Sequence, residues 1–442
     1  MPLLFVLACI LEALLYRISR PVDLREHIVE TIVLLILAGV VYLILCFLAF
    51  EQTNSNKSRR FVWFGLTASV VFRLTVWPVF PSLTDDPFRY RWEGRVQAAG
   101  GNPYQSRPID PRYASLRDSA FDRIPGKDFL AVYGPLTEQL ELWTYRAVSR
   151  FTSNPIRQVF WFKLPYALCD LGLIVTLWLW LGARGFPRER ILIYAWCPLT
   201  IVEFWGSGHN DSLALMLLAL AFLFAARKRW TLGFGFLALA ASAKIWPLFL
   251  IPLFIGWSGR RTLRTYQWWI MLPIFGLLAW PYRTNVTENL RFMSGFAGGW
   301  RNNDSLFGLL FWVTGDLYAA KKMVIAIIAT TVAGVTFLRS TLERGALCVI
   351  AVTLMVSANC HPWYLTWIVP LLAFEPVTAL LLWTILAPLA YHTVIGWALL
   401  GEWQGSTPIR WYEYVPVYGL LAGSWLVRTV RRRTYFTGAR RA

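Results

Sequence analysis

Charge is scarce in this sequence. Asp, Glu, Lys and Arg make up 15% of the residues against 57% apolar, and a soluble chain carries far more charge than that. The scarcity excludes a string of water-soluble domains, although the length would allow about two or three of them. Cysteine is scarce too. Cys9, Cys46, Cys169, Cys197, Cys348 and Cys360 each fall in or at the end of an apolar segment, with no CxxC or Cys/His ligand spacing. That excludes a disulfide framework and a zinc site, and leaves the cysteines as small apolar packing residues. Acidic residues number 25 against 43 basic ones, a net charge of +18. Many of the basic residues stand in tight clusters between apolar runs: Lys57, Arg59 and Arg60; Arg184, Arg188 and Arg190; Arg227, Lys228 and Arg229; Arg260, Arg261 and Arg264; Arg431, Arg432 and Arg433. Short basic loops of this kind mark the cytoplasmic side of a membrane protein, so the charge gives no sign of a nucleic-acid partner. No internal repeat is visible. The N-terminal run 2–16 lacks the basic start and the cleavage site of a signal peptide and reads as a retained helix.

What the chain has in abundance is apolar runs of about 15 to 25 residues, near the roughly 20 needed to cross a bilayer as a helix. The 24 tryptophans and 18 tyrosines suit belts at the membrane interfaces. With the basic clusters as cytoplasmic anchors, helices near 2–16, 29–50 and 61–80 run up, down and up, and a long polar loop, 83–154, follows on the outer face. Helices near 156–182, 191–206 and 210–226 come next. The stretch 231–257 folds as a hairpin with Lys244 and Pro247 at its outer tip, since Pro breaks a helix. After 266–282 comes a second outer loop, 283–322, holding a short apolar segment and placing Lys321 and Lys322 outside; helices near 323–338, 345–358, 363–374, 377–398 and 413–430 complete the path. The expectation is one all-α polytopic membrane domain over 1–442, with roughly 12–14 spans and both termini cytoplasmic.

The long loop has structure of its own. Asp86 and Pro87 open a helix with a capping carboxylate and a first-turn proline, and Gly100 and Gly101 end it. Phe88, Trp92, Val96 and Ala99 share one face of it, with Arg89, Arg91, Glu93 and Arg95 elsewhere. A second helix starts at Gly134 and Pro135, with an apolar stripe of Leu136, Leu140, Trp143, Ala147 and Phe151. Such helices lie in the membrane plane, so the loop is expected to form a platform on the bilayer surface.

Leu83-Thr84-Asp85-Asp86-Pro87 carries the sharpest chemical signal. Two adjacent carboxylates at a bilayer surface are costly unless they pair with cations or act on a substrate. The positive end of the following helix favours their ionised form, and an ionised carboxylate can take a proton from an acceptor hydroxyl. A helix cap uses one of the two and leaves the other for function. Further polar residues gather at the same outer mouth: Gly208-His209-Asn210-Asp211 at a helix start, Lys244 at the hairpin tip, and Cys360-His361-Pro362-Trp363-Tyr364 between two helices. Lys244, His209 and His361 can neutralise a phosphate leaving group; the structural alternative for each is a snorkelling or hydrogen-bonded residue. Asn210 suits a cap, and Asp211 suits either role. Arg89, Arg91 and Arg95 spread over more than half the first loop helix, so at most two face one ligand. Arginine suits bidentate phosphate contact, with lipid-headgroup anchoring the alternative. Asn285-Val286-Thr287 fits a glycosylation sequon, but nothing in the sequence indicates a glycosylating compartment.

The run Asp85-Asp86-Pro87-Phe88-Arg89-Tyr90-Arg91-Trp92-Glu93-Gly94, continuing to Gly100-Gly101-Asn102-Pro103-Tyr104, resembles the first outer loop of bacterial GT-C glycosyltransferases. The likeness is greatest to the mannosyltransferases that use polyprenol-phosphate-mannose. Tyr133-Gly134-Pro135, Gly208-His209-Asn210-Asp211, Lys244-Ile245-Trp246-Pro247 and His361-Pro362-Trp363-Tyr364 resemble that group in the same order, over 61–375. The resemblance implies a GT-C-like bundle, a lipid-phosphate sugar donor bound at the outer face, and inversion by single displacement with a loop Asp as base, here Asp85 or Asp86. It offers Arg89, Glu93, Arg95, Tyr133, His209, Asn210, Asp211, Lys244, His361 and Tyr364 as substrate-binding candidates. Trp92-Glu93-Gly94 departs from the Trp-Asp-Gly turn of many relatives. Some GT-C enzymes hold a divalent cation at the acidic motif, which makes Asp85 and Asp86 candidate ligands for Mg2+ or Mn2+.

The sequence is thus expected to encode a hexosyltransferase of a bacterial inner membrane, moving mannose from a polyprenyl-phosphate donor to a hydroxyl of a glycan or lipid-linked acceptor, surrounded by membrane lipids, at the extracytoplasmic face. The rival class is a transporter or flippase of lipid-linked sugars. That class favours mid-span charges and repeat symmetry, whereas the polar residues here gather at helix ends on one face. A structural scaffold leaves the acidic pair unexplained.

Overall fold

A computed structural model describes residues 2–51, 55–284, 301–338, 340–400 and 407–438. The sequon at Asn285 lies outside the described residues, as does part of the second expected loop. The protein is all-helical: among the described residues no strand forms, only an isolated bridge between Asn302 and Asn359. Four described helices are long and apolar enough to cross a bilayer, Leu24–Phe50, Pro155–Ala183, Leu317–Phe337 and Thr378–Trp397. Shorter apolar helices pack among them, in keeping with an all-α polytopic membrane protein.

Helix α1 (Pro2–Ile18) turns Leu4, Leu7, Leu11 and Leu15 inward at helical spacing, against α2 (Ile28–Glu51) and α3 (Ser55–Val76). The outward faces are apolar as well, with Phe5, Ile10, Val33, Val40 and Phe47 exposed, as a lipid-facing surface requires. Deep in the bundle Arg73 of α3 pairs with Asp170 at 2.6 Å. Tyr194 and Trp205 also donate to Asp170, and Arg73 donates to the Ala195 carbonyl. This buried pair has its hydrogen-bonding groups in use, the condition under which such a pair is tolerated. It ties α3 to α7 (Lys163–Ala183), which continues from α6 (Pro155–Trp161). Lys163 is buried too, and its Nζ donates to the carbonyls of Trp77, Val79 and Trp205.

The expected helix 363–374 is a 3-10 stretch, Pro362–Trp367, followed by a short helix, Val369–Leu372, and the structure departs from the expected path in three further places. The segment 191–206 is not one helix but a series of short pieces, among them Leu192–Ala195, Pro198–Ile201 and a π-helical turn, Val202–Ser207, all buried. Pro198 withholds a backbone donor, and the buried carbonyls of the broken stretch are taken up by side chains such as Arg73, Lys163 and Thr200. Lys321 and Lys322 are not in a loop but within the helix Leu317–Phe337, because Asp316 caps that helix early, accepting from the Ala319 N–H at 2.7 Å.

The third departure decides the site. In the long loop, α4 (Asp86–Ala98) and α5 (Pro135–Val148) form where expected, but α4 does not lie open on a surface. Phe88, Trp92 and Val96 enter a small core with Ala120, Ile124 and Val159, Tyr90 joins the main core, and Arg89, Arg91 and Glu93 are buried as well. In α5 the stripe divides: Leu136 and Leu140 pack on the main core and its far end faces outward. The apolar Trp143 and Phe151 beyond it are 62% and 69% exposed, while Thr137, Glu138 and Glu141 are at 0%. The two loop helices pack polar side to polar side, which leaves the Trp143 side of α5 outward, as a lipid-facing stripe would be, and buries both sides of α4.

Candidate active site

The start of α4 places the acidic pair. Its first backbone donors are not capped by either aspartate: Thr84 Oγ1 accepts the Asp86 N–H at 3.1 Å, and Asp85, at the cap position, makes no side-chain capping bond. Asp85 instead pairs with Arg123, which donates from Nε at 3.0 Å and Nη2 at 2.6 Å, and its other oxygen accepts from Trp397 Nε1 at 3.1 Å. Asp86 lacks such a partner. The Tyr90 hydroxyl donates to it at 3.5 Å, Tyr133 is also within hydrogen-bonding reach and His209 Nδ1 lies at 3.7 Å, and its side chain is 24% exposed, into a cavity. Burial pushes its carboxyl up to about 6, against the pull of Lys244 and with repulsion from Asp211 and Asp85.

Tyr133 and Lys244 meet in this cavity because two distant segments dock backbone to backbone. The Gly134 N–H donates to the Ala243 carbonyl, and Thr137 Oγ1 donates to the same oxygen at 2.9 Å. A Cβ on Gly134 would stand 2.1 Å from the Ser242 carbonyl oxygen, so only glycine permits the approach. Ala243 ends the helix Trp230–Ala243, and Lys244 follows in extended backbone. The Lys244 ammonium pairs with the buried Asp211 at 2.6 Å, whose same oxygen accepts from Trp367 Nε1.

The opposite wall is aromatic. Trp363 is sandwiched between His209 and His361, with ring centroids 4.2 and 4.3 Å away and planes within 20°. His361 Nδ1 lies 3.0 Å from Asn302 Nδ2. Burial, with Lys244 adding to it, pushes the His361 imidazolium down to about 3, and His209 is likewise held well below its ordinary value by burial. Both rings are therefore neutral at pH 7 and bring hydrogen-bonding edges, not positive charge. His209 Nε2 lies 3.2 Å from Glu203 Oε2, in the π-helical turn.

The cavity holds about 190 Å3 and joins Asp85, Asp86, Arg89, Tyr133, Lys244, His361 and Tyr364 with Trp363 and Trp397. His209 and Asp211 stand one contact behind it. The remaining candidates lie elsewhere. Arg95 pairs with Asp118, together with Arg91, and does not reach the cavity. Arg89 reaches it with its guanidinium spent on Glu93 and on the carbonyls of Gly126 and Phe129. Glu93 is behind Arg89, facing α5. Asn210 precedes the helix Asp211–Ala226 without a side-chain capping bond. The sequence reading missed Arg123, Glu203, Trp397 and Asn302. Glu203 alone had a signal, a lone acid inside an apolar segment.

Much of the chain, including several of these cavity residues, matches a known family. The profile described as alpha-(1->6)-mannopyranosyltransferase, N-terminal domain, matches residues 12–260, more than half of the chain. The chain belongs to this family. The matched region carries the acidic pair, Tyr133, the His209–Asp211 motif and Lys244, whereas the aromatic wall at His361 to Tyr364 lies beyond it. A curated relative, alpha-(1->6)-mannopyranosyltransferase A of Corynebacterium glutamicum, is 25% identical over 205 residues, 45% of this chain. The match spans 39% of that relative's length. No solved structure matches.

Proposed function

We propose that this protein is an integral-membrane mannosyltransferase of the GT-C type, transferring mannose from a polyprenyl-phosphate donor to an acceptor hydroxyl in an α-(1→6) linkage, with inversion. Asp86 is the general base and Asp85 its structural neighbour. The observation that carries this reading is the shared cavity, in which the poorly partnered Asp86 carboxylate faces Lys244 across aromatic walls. A carboxyl near 6 is ionised at neutral pH and takes a proton better than an ordinary aspartate. The Lys244 ammonium meets the charge that develops on the departing phosphate. Trp363, Tyr364 and Tyr133 offer flat faces to a sugar ring. Neutral His361 and His209 then serve as hydrogen-bonding and positioning groups. The basic clusters between apolar runs support an extracytoplasmic site in a bacterial inner membrane, with cytoplasmic termini.

The transporter reading needs a charged pathway at mid-span. The buried Arg73–Asp170 pair is saturated by its neighbours and lines none of the described cavities. The test uses purified protein with polyprenyl-phosphate-mannose and mannoside acceptors, comparing wild type with Asp86→Asn and Asp85→Asn. Mannosyl product from wild type and its loss in Asp86→Asn are expected. No donor consumption, with lipid-linked sugar crossing vesicles instead, would establish the transporter.

A further inference from the structure

Beyond Arg89, Glu93 of α4 meets Glu138 and Glu141 of α5, with one carboxylate oxygen from each within 4.8 Å of the others. The three side chains are 2%, 0% and 0% exposed. Glu93 Oε1 accepts from Arg89 Nε and Glu138 Oε2 accepts from Gln97 Nε2 at 3.1 Å. Glu93 Oε2, Glu138 Oε1 and both oxygens of Glu141 are buried with no hydrogen-bond partner. A separate observation comes from α7. The Tyr166 hydroxyl, on a side chain 1% exposed, is directed at Glu141 without forming a well-shaped hydrogen bond to it or to any other described group. So many unmet buried acceptors in one place call for something between them.

The packing that creates the cluster is built in. A Cβ on Gly94 would stand 2.5 Å from the Glu141 carbonyl oxygen, so glycine there lets the two helices close until the carboxylates converge. Three carboxylates against one guanidinium leave two negative charges, the charge of one divalent ion. Oxygens up to 4.8 Å apart suit opposed ligands of an ion bound at about 2.4 Å. All the donors are oxygen, which excludes the soft metals. Mg2+ keeps several waters of its own, and a closed site of carboxylates suits Ca2+ better.

We propose that Glu93, Glu138 and Glu141, with the Tyr166 hydroxyl beside them, bind one Ca2+ ion that clamps α4 to α5. The ion fixes the helix that starts at Asp86 to the one that starts after Tyr133, and so sets two walls of the cavity. It is distinct from any cation at the acidic pair, where Arg123 already supplies the positive charge. The site does not depend on the transfer reaction.

The test is metal content and thermal stability of the full chain in detergent, after EGTA treatment and readdition of Ca2+ or Mg2+. The expected result is about one Ca2+ retained per chain, a Tm that rises with Ca2+ up to about 1 mM, and loss of both in Glu141→Gln. Asp86→Asn, at the cavity, keeps the ion. A wild-type protein that retains no ion and whose Tm ignores Ca2+ would overturn the proposal; the carboxylates would then share protons, as burial and mutual repulsion favour for Glu138 and Glu141. An equal response to Mg2+ would overturn the choice of calcium. Should Glu141→Gln fail to fold, the wild-type measurements decide alone.

Discussion

Replacing Asp86 by Asn should raise stability at neutral pH while it removes activity. In the unfolded chain an aspartate gives up its proton near 3.9 or so, whereas in the fold Asp86 holds its proton up to about 6, because burial disfavours the charge. A raised carboxyl favours the folded state fully below the unfolded value, and that contribution is lost as pH rises through about 6. At pH 7 the ionised side chain therefore costs the fold up to about 3 kcal/mol at roughly 1.36 kcal/mol per pH unit. With 24% of the side chain open to the cavity, solvent screens part of this, so the figure is an upper bound. Asparagine has the same shape and no charge to bury. The chemical effect runs the other way: loss of a general base lowers turnover by about 10²–10⁴, or about 3–5 kcal/mol in the barrier. Thermal unfolding at pH 5 and 7 and mannosyl transfer against pH measure both. Wild-type transfer should fall as pH drops through about 6, and the residual activity of the variant should lack that limb. An Asp86→Asn protein that transfers mannose normally, or is less stable than wild type at pH 7, would refute the reasoning.

Asp85→Asn should behave in the opposite way, keeping measurable transfer while losing stability, because it strips Arg123 of its 2.6 Å partner. Arg123 is 24% exposed, so denaturant or thermal unfolding should register about 1–3 kcal/mol, below the cost of breaking a fully buried pair. Lys244→Met leaves the Asp211 carboxylate buried without its cation and should cost about 3–5 kcal/mol; adding Asp211→Asn should restore stability but not transfer. Trp363→Ala removes the ring between His209 and His361 and should cost about 3–5 kcal/mol and raise KM more than it lowers kcat. Gly134→Ala should fail to dock the Tyr133 turn against Ser242, lowering Tm and transfer together, whereas alanine at the exposed Gly276, which meets no neighbour, should be silent.

Much of the site was legible because it sits at helix boundaries, and those boundaries have local chemical signs. Asp86 with Pro87, Gly134 with Pro135, and the break after Ala243 could be found from proline and helix-start rules, although the capping carboxylate expected at α4 is not there and Thr84 takes that place. Pairings were not legible. Asp85 and Asp86 are adjacent and alike in sequence, yet one is held by Arg123 and Trp397 and the other is left to the cavity. Arg95 and Arg89 had the look of phosphate ligands and turn out to brace the loop, because their partners, Asp118 and the carbonyls of Gly126 and Phe129, are loop residues 23–40 positions away.

The sequence by itself determined the class of solvent this chain needs, the helical periodicity of its segments and the places where its helices start. Those follow from hydropathy and from backbone chemistry, which act over a few residues. Only the tertiary structure decided which face of each loop helix is inside. Apolar stripes on α4 and α5 predicted a platform on lipid; α5 keeps its Trp143 side outward, whereas α4 buries its stripe in a protein core and its polar side against α5, where a glycine lets the two helices close. The burial of Glu138 and Glu141 arises from that single packing choice, which no local pattern encodes.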